Sequence, residues 1–180
     1  MMMSPSFRKL ALIAHVTTSI GWFGAVAAFL ALSLVGMTSP DTQLARAAYL
    51  AMEVTTWFVI VPLAFASLLS GVISSLGTKW GLFRYYWVLL KLLITVLATL
   101  VLLVHLPPIE RLASVAATTA PGVTLRDAQL NIVVASAAAL LVLFTLTALS
   151  IYKPRGMTPY GQRKQQEQST GVAVGDVITG

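Results

Sequence analysis

The sequence predicts an all-α membrane protein: a four-helix antiparallel bundle with both termini cytoplasmic. Three observations predict it. Four apolar runs are each long enough to cross a bilayer, Lys and Arg crowd onto alternate connections, and proline, glycine and capping residues punctuate the gaps. The 180 residues are 57% hydrophobic and 10% charged, against about 25% charged in a soluble domain.

A membrane helix needs about 20 mostly apolar residues to span roughly 30 Å of hydrocarbon. Residues 10–35 meet that test, broken by His15 and a few Ser and Thr. Residues 54–76 meet it with no charge, and residues 87–106 with Lys91 alone. Residues 128–151 meet it with Gln129 and Asn131 confined to the start. Each run is too long for a soluble core helix and too poor in charge for a surface one. Helices over about 10–35, 54–76, 87–106 and 128–151 make residues 1–152 one transmembrane domain. Residues 153–180 are rich in Gly and Gln without periodicity and read as a disordered cytoplasmic tail.

The connections carry stop and start signals. Ser39-Pro40-Asp41-Thr42 ends the first helix and offers Asp41 or Thr42 as the cap of the next. That second helix is expected to begin near Gln43, outside the bilayer, and to enter it near Val54. Pro62 removes a backbone donor and is expected to kink it. Residues 77–81 read as a tight turn. Pro107-Pro108 is expected to stop the third helix, leaving 109–117 as a separate interfacial helix; Pro121-Gly122 breaks that, and Thr124 caps the fourth. Trp57, Trp80, Tyr85, Tyr86 and Trp87 fall near boundaries, where aromatic rings sit at headgroup level.

Charge orients the chain. The N-terminus, the connection between the second and third helices, and the tail hold Arg8, Lys9, Lys79, Arg84, Lys153, Arg155, Arg163 and Lys164. The other side holds Arg46, Arg111 and Arg126, offset by Asp41, Glu53, Glu110 and Asp127. An excess of Lys and Arg marks the cytoplasmic side, so a multi-pass bacterial inner-membrane protein with both termini inside is expected. The net charge of +6 is then a topology and lipid-contact signal rather than a nucleic-acid footprint. The first apolar run continues well past the 7–15 residues of a signal-peptide core and is expected to be retained. There is no cysteine, which removes disulfide exchange and thiolate-held iron–sulfur ligation from consideration.

Helices in lipid gain nothing hydrophobic by touching, so small and polar residues direct their packing. Thr17, Gly21, Gly24, Ala25 and Ala28 on the first helix, and Ser67, Gly71 and Ser75 on the second, allow close approach within one bundle or against a second copy. Two readings of Lys91 stay open: its ammonium snorkels to the basic side, or it is buried with a partner. Lys91, Thr95, Ala98, Leu102 and His105 form one helical stripe expected to face the bundle. His15 and Lys91 each lie about 10 Å inward of the nearest basic residue. A pocket formed by His15, Ser19, Trp22, Arg84, Trp87, Lys91 and Thr95 is therefore the best candidate site in the sequence. His15 and His105 are expected on the order of 20 Å apart in depth, too far for one haem within a chain. Met37, Met52 and His105, with Glu53 and Glu110 nearby, form an alternative copper-type ligand set on the other side. No nucleophile–base constellation, phosphate loop or metalloprotease motif is present, so no enzyme is expected.

The stretch Thr78-Lys79-Trp80-Gly81-Leu82-Phe83-Arg84-Tyr85-Tyr86-Trp87-Val88-Leu89-Leu90-Lys91 resembles a segment of uncharacterised bacterial small integral membrane proteins. That resemblance implies a four-helix bundle and supplies no activity. His15 followed by Gly21-Trp22 and Gly24 is distantly similar to copper-resistance protein D-like and cytochrome b-like bundles, though this chain has no second histidine at matching depth. The function expected is therefore that of a non-enzymatic accessory or binding protein, whose cofactor, if it has one, is unknown. Its partners would be the lipid bilayer and possible contacts with another membrane protein or a second copy. The alternatives are a haem- or copper-binding redox or metal-handling protein and an oligomeric small transporter. A C-terminal reporter that is active only in the periplasm should stay silent; activity would overturn the orientation or the even number of spans.

Overall fold

The computed structural model describes residues 4–76, 85–118, 126–152, 156, 158–163 and 166. Among these residues the long helices are α1 (Pro5–Thr38), α2 (Thr42–Thr55), α3 (Val61–Leu76), α4 (Tyr86–Thr118) and α5 (Arg126–Tyr152). A π-helical turn, Thr56–Ile60, joins α2 to α3, so Thr42–Leu76 runs as one long rod. That makes 4 helices long and apolar enough to cross a membrane. Much of their apolar surface faces outward: Leu10, Ile20, Phe58, Val104, Leu141 and Phe144 are each more than 60% exposed. Outward-facing leucines and phenylalanines in such numbers suit a lipid surround.

Local chemistry sets the helix ends. Ser4 caps α1, its Oγ accepting from Phe7 N at 3.4 Å, and Pro5 sits in the first turn, where its missing N–H costs nothing. The helix therefore begins five residues before the apolar run does. Asp41 takes the cap of α2, its carboxylate accepting from Gln43 N at 2.9 Å and Leu44 N at 3.4 Å. Pro62 cannot donate to Phe58 O. The chain accommodates this with the π turn immediately ahead, where Val61 N–H reaches back to Thr56 O.

The expected stop at Pro107-Pro108 does not occur. Both prolines lie inside α4, which continues to Thr118. Proline's fixed φ is itself helical, and the cost of its missing donors falls on the carbonyls of Leu103 and Val104, both on the outer surface. Beyond the prolines, Ile109, Leu112 and Ala113 are buried and this part of α4 packs against α2. Arg46 Nη2 donates to Ala117 O at 2.8 Å and Trp57 Nε1 to Glu110 Oε1 at 3.2 Å, fastening α4 to the α2–α3 rod. Burial on α2 thus carries the helix through the break. In the tail, Thr158 is buried and caps a short helical turn, with Gly161 N donating to its Oγ1 at 3.1 Å. Tyr86 N donates to Gly156 O at 3.4 Å, tying this segment to the start of α4. The rest of the tail, the turn at 77–81 and the cap proposed at Thr124 lie outside the described residues.

The core runs through Trp22, Phe29, Tyr49, Met52, Ile60 and Leu143. At Gly36 a β-carbon would meet the Tyr49 ring at 2.7 Å, so this crossing of α1 and α2 requires glycine. Gly36→Ala should lower stability by about 1–3 kcal/mol through overpacking. Adding Tyr49→Leu should recover part of that loss, and thermal unfolding in detergent checks both. A Gly36→Ala protein as stable as the parent would contradict the packing.

Candidate functional site: a basic cavity at one end of the bundle

The site grows from the contact between α1 and α3. On α1, His15, Thr18 and Ser19 occupy adjacent turns; on α3, Ser67, Ser70 and Gly71 do the same. Ser19 Oγ and Ser67 Oγ share a hydrogen bond of 2.8 Å. His15 Nδ1 lies 3.1 Å from Ser67 O and 3.3 Å from Ser70 Oγ. A carbonyl accepts only, so Nδ1 carries the hydrogen and a neutral His15 keeps Nε2 as an acceptor. Ser70 Oγ spends its own hydrogen on Ala66 O at 2.6 Å, which leaves its lone pairs for His15. Gly71 completes the seam: a β-carbon there would come within 3.0 Å of His15 Cε1. The imidazole is therefore held against bare backbone with its tautomer fixed.

Next to this seam lies a cavity of about 540 Å³. Arg8, Lys9 and His15 from α1, Ser74 and Ser75 from α3, and Trp87, Lys91 and Thr95 from α4 line it, with Leu12, Leu68 and Leu92 among its apolar walls. Every formally charged side chain in this lining is a cation. Asp41, Glu53, Glu110 and Asp127, the acidic residues among those described, are not part of it. Lys91 Nζ donates to Ser150 Oγ near the end of α5, and Ser150 Oγ donates on to Leu146 O at 2.8 Å. Lys91 is thus half-buried and partnered, and the last turn of α5 supplies the negative end of a helix dipole beside it. Ser74 Oγ is buried and makes no hydrogen bond to the described residues. Thr95 Oγ1 is occupied by Lys91 O at 2.8 Å. Arg8 and Lys9 are exposed and Lys91 is half-buried, so the cavity offers an anion three cations at graded depth.

The expected pocket is brought together in part. His15, Trp87, Lys91 and Thr95 share this cavity. Ser19 lies in the seam beside it, bonded to Ser67. Trp22 is only 4% exposed and borders a second cavity, with Ala98, Leu102 and His105. Arg84 lies outside the described residues. The helical stripe on α4 therefore serves two chambers: Lys91 and Thr95 the basic one, Ala98, Leu102 and His105 the other. His105 Nδ1 donates within its own helix to Val101 O at 2.8 Å. Met52 is buried in the core, and Met37 is partly exposed near the end of α1. No cluster of three or more His, Asp or Glu side chains suited to a metal ion occurs among the described residues.

Sequence reasoning missed Arg8, Lys9, Ser74, Ser75 and Ser150. A signal was present for most of them. Ser67, Ser70, Gly71, Ser74 and Ser75 recur at steps of three and four, which is a polar helix face, and Arg8 and His15 lie two turns apart. Ser150 gave no such signal, because its role depends on where α5 ends relative to α4.

The chain matches no protein-family model, no curated protein and no solved structure.

Interhelical hydroxyl bonds in membranes are worth about 0.6 kcal/mol on average. Ser19→Ala and Ser67→Ala should each cost about that much, and the double variant no more than either alone. A double-mutant cycle of detergent unfolding checks this; additive losses would show that the two hydroxyls are not paired.

Proposed function

We propose that this is a non-enzymatic binding protein of the bacterial inner membrane, an antiparallel four-helix bundle with both termini cytoplasmic. Its basic cavity holds the headgroup of an anionic phospholipid from the inner leaflet. One observation carries the reading: Arg8, Lys9 and Lys91 line, with His15 and two serines, a single cavity with no acidic side chain among its described lining residues. A phosphodiester matches that set, since it carries one negative charge and several acceptor oxygens for ammonium, guanidinium and hydroxyl donors. The apolar walls formed by Leu12, Leu68 and Leu92 suit the start of an acyl chain. Trp87 at the same cavity suits the headgroup depth where indole rings gather.

The orientation draws on the same residues. The start of α1, the end of α3 and the start of α4 border the cavity, and Lys91 reaches the end of α5. This is the end with the greater basic charge, and basic juxtamembrane clusters attract anionic lipid at about 1 kcal/mol per residue. A haem held by both histidines of one chain is not favoured, since His15 and His105 border different cavities.

The test is native mass spectrometry of the full chain with phosphatidylglycerol and, in parallel, phosphatidylcholine. Phosphatidylglycerol should be retained in preference, and Lys91→Ala should weaken that retention about five-fold. Equal retention of the two lipids, or a Lys91→Ala protein unchanged in its preference, would overturn the reading.

A further inference from the structure

The second cavity, about 320 Å³, lies among α1, the α2–α3 rod, α4 and α5, and is almost wholly apolar. Its few polar side chains are mostly spoken for. Thr56 Oγ1 donates to Met52 O at 2.7 Å, Ser136 Oγ to Val133 O at 3.0 Å, and His105 Nδ1 to Val101 O at 2.8 Å. Trp22 is the exception. Its ring borders the cavity, it is 4% exposed, and its Nε1 is buried with no hydrogen-bond partner among the described residues. Buried donors in native proteins are nearly always satisfied, and an orphan calls for a reason. In a membrane no bulk water is at hand to supply the missing acceptor.

The cavity also has a side opening. Leu97 and Val101 on α4 line it, yet are 59% and 46% exposed, and Ala138 on α5 both lines it and faces outward. On this part of α5, Ala135, Ser136, Ala138 and Ala139 face the chamber with no bulk to close the gap. The volume is roughly twice the about 150 Å³ that suffices for a benzene-sized guest in a dry cavity.

We infer that this chamber is a lateral binding site for a neutral, lipid-soluble molecule bearing a carbonyl oxygen, which enters from the bilayer between α4 and α5 and accepts a hydrogen bond from Trp22 Nε1. Neutrality follows from the lining, which includes no Lys, Arg, Asp or Glu among the described residues. An acceptor follows from the unmet need, since the orphan is a donor, and a carbonyl oxygen is a neutral group that accepts without adding a donor of its own. The site is distinct from the basic cavity, so the two stand or fall separately.

Benzophenone is a suitable probe, because it is a neutral aryl ketone that bonds to neighbouring C–H groups on irradiation. The full chain in phospholipid nanodiscs is irradiated over a range of benzophenone concentrations, and the adducts are mapped by peptide mass spectrometry. Adducts at Val101 and Ala139 should saturate, while those at the outward-facing Leu141 and Phe144 should rise in proportion to the probe. Trp22→Phe, which removes the donor and leaves a smaller aromatic ring in its place, should raise the half-saturating concentration about five-fold. Chamber adducts that rise linearly like those at Phe144 would overturn the site. Saturable adducts that Trp22→Phe leaves unshifted would overturn the carbonyl assignment and make the chamber a simple acyl-chain pocket.

Discussion

A helix surrounded by lipid has no hydrophobic reason to touch another helix, because acyl chains are as apolar as leucine. Something else must hold α1 against α3, and that is the seam of His15, Thr18 and Ser19 on Ser67, Ser70 and Gly71. The seam works because its donors and acceptors match within a small space. The Ser70 hydroxyl, which also bonds its own helix, keeps lone pairs for His15, and Gly71 removes the side chain that would stand where the imidazole lies. The largest interface in the fold is built on this pairing. Once α1 and α3 are joined here, the start of α1 and the end of α3 are fixed as two walls of one cavity, and α4 supplies the third with Trp87, Lys91 and Thr95.

A division of labour along the bundle follows. The end with the basic side chains is polar, and Asp41, Glu53, Glu110 and Asp127, the acidic side chains among the described residues, do not line its cavity. The middle is apolar, with hydroxyls folded back onto their own helices at Thr56, Thr99 and Ser136. One stripe of α4 passes through both regions, so helical periodicity places Lys91 in the first chamber and His105 in the second. This separation also bears on the haem expectation, since the two histidines border different chambers.

Much of this was legible in the sequence because it follows from local rules. The four apolar runs, the Asp41 cap and the inward stripe on α4 follow from length, capping chemistry and the 3.6-residue period. Helix ends were less legible for a reason visible at Ser4-Pro5 and Thr158-Pro159. In both, a hydroxyl cap precedes a proline in the first turn, which is a start signal lying outside any apolar run. The helix through Pro107-Pro108 could not be read locally at all. Two prolines are a stop signal by themselves, and only the burial of Ile109, Leu112 and Ala113 on α2 outweighs it. The placement of Trp22 was likewise a tertiary matter. It lies on the same face as His15 and Ser19, but seven residues past His15, which is two turns and about 10 Å further along α1 and brings it to the other chamber.

The measurement that bears most directly on the seam is an intramolecular cross-link. The chain has no cysteine, so Ser19→Cys and Ser67→Cys introduce a single pair at two positions whose hydroxyl oxygens lie 2.8 Å apart. A disulfide there suits β-carbons separated by about 4 Å. Mild oxidation of the protein in its membrane should join α1 to α3 within one chain, detected as an internal bond between their peptides. No bond, or a bond formed only between two copies, would contradict the pairing on which the rest of the bundle is arranged.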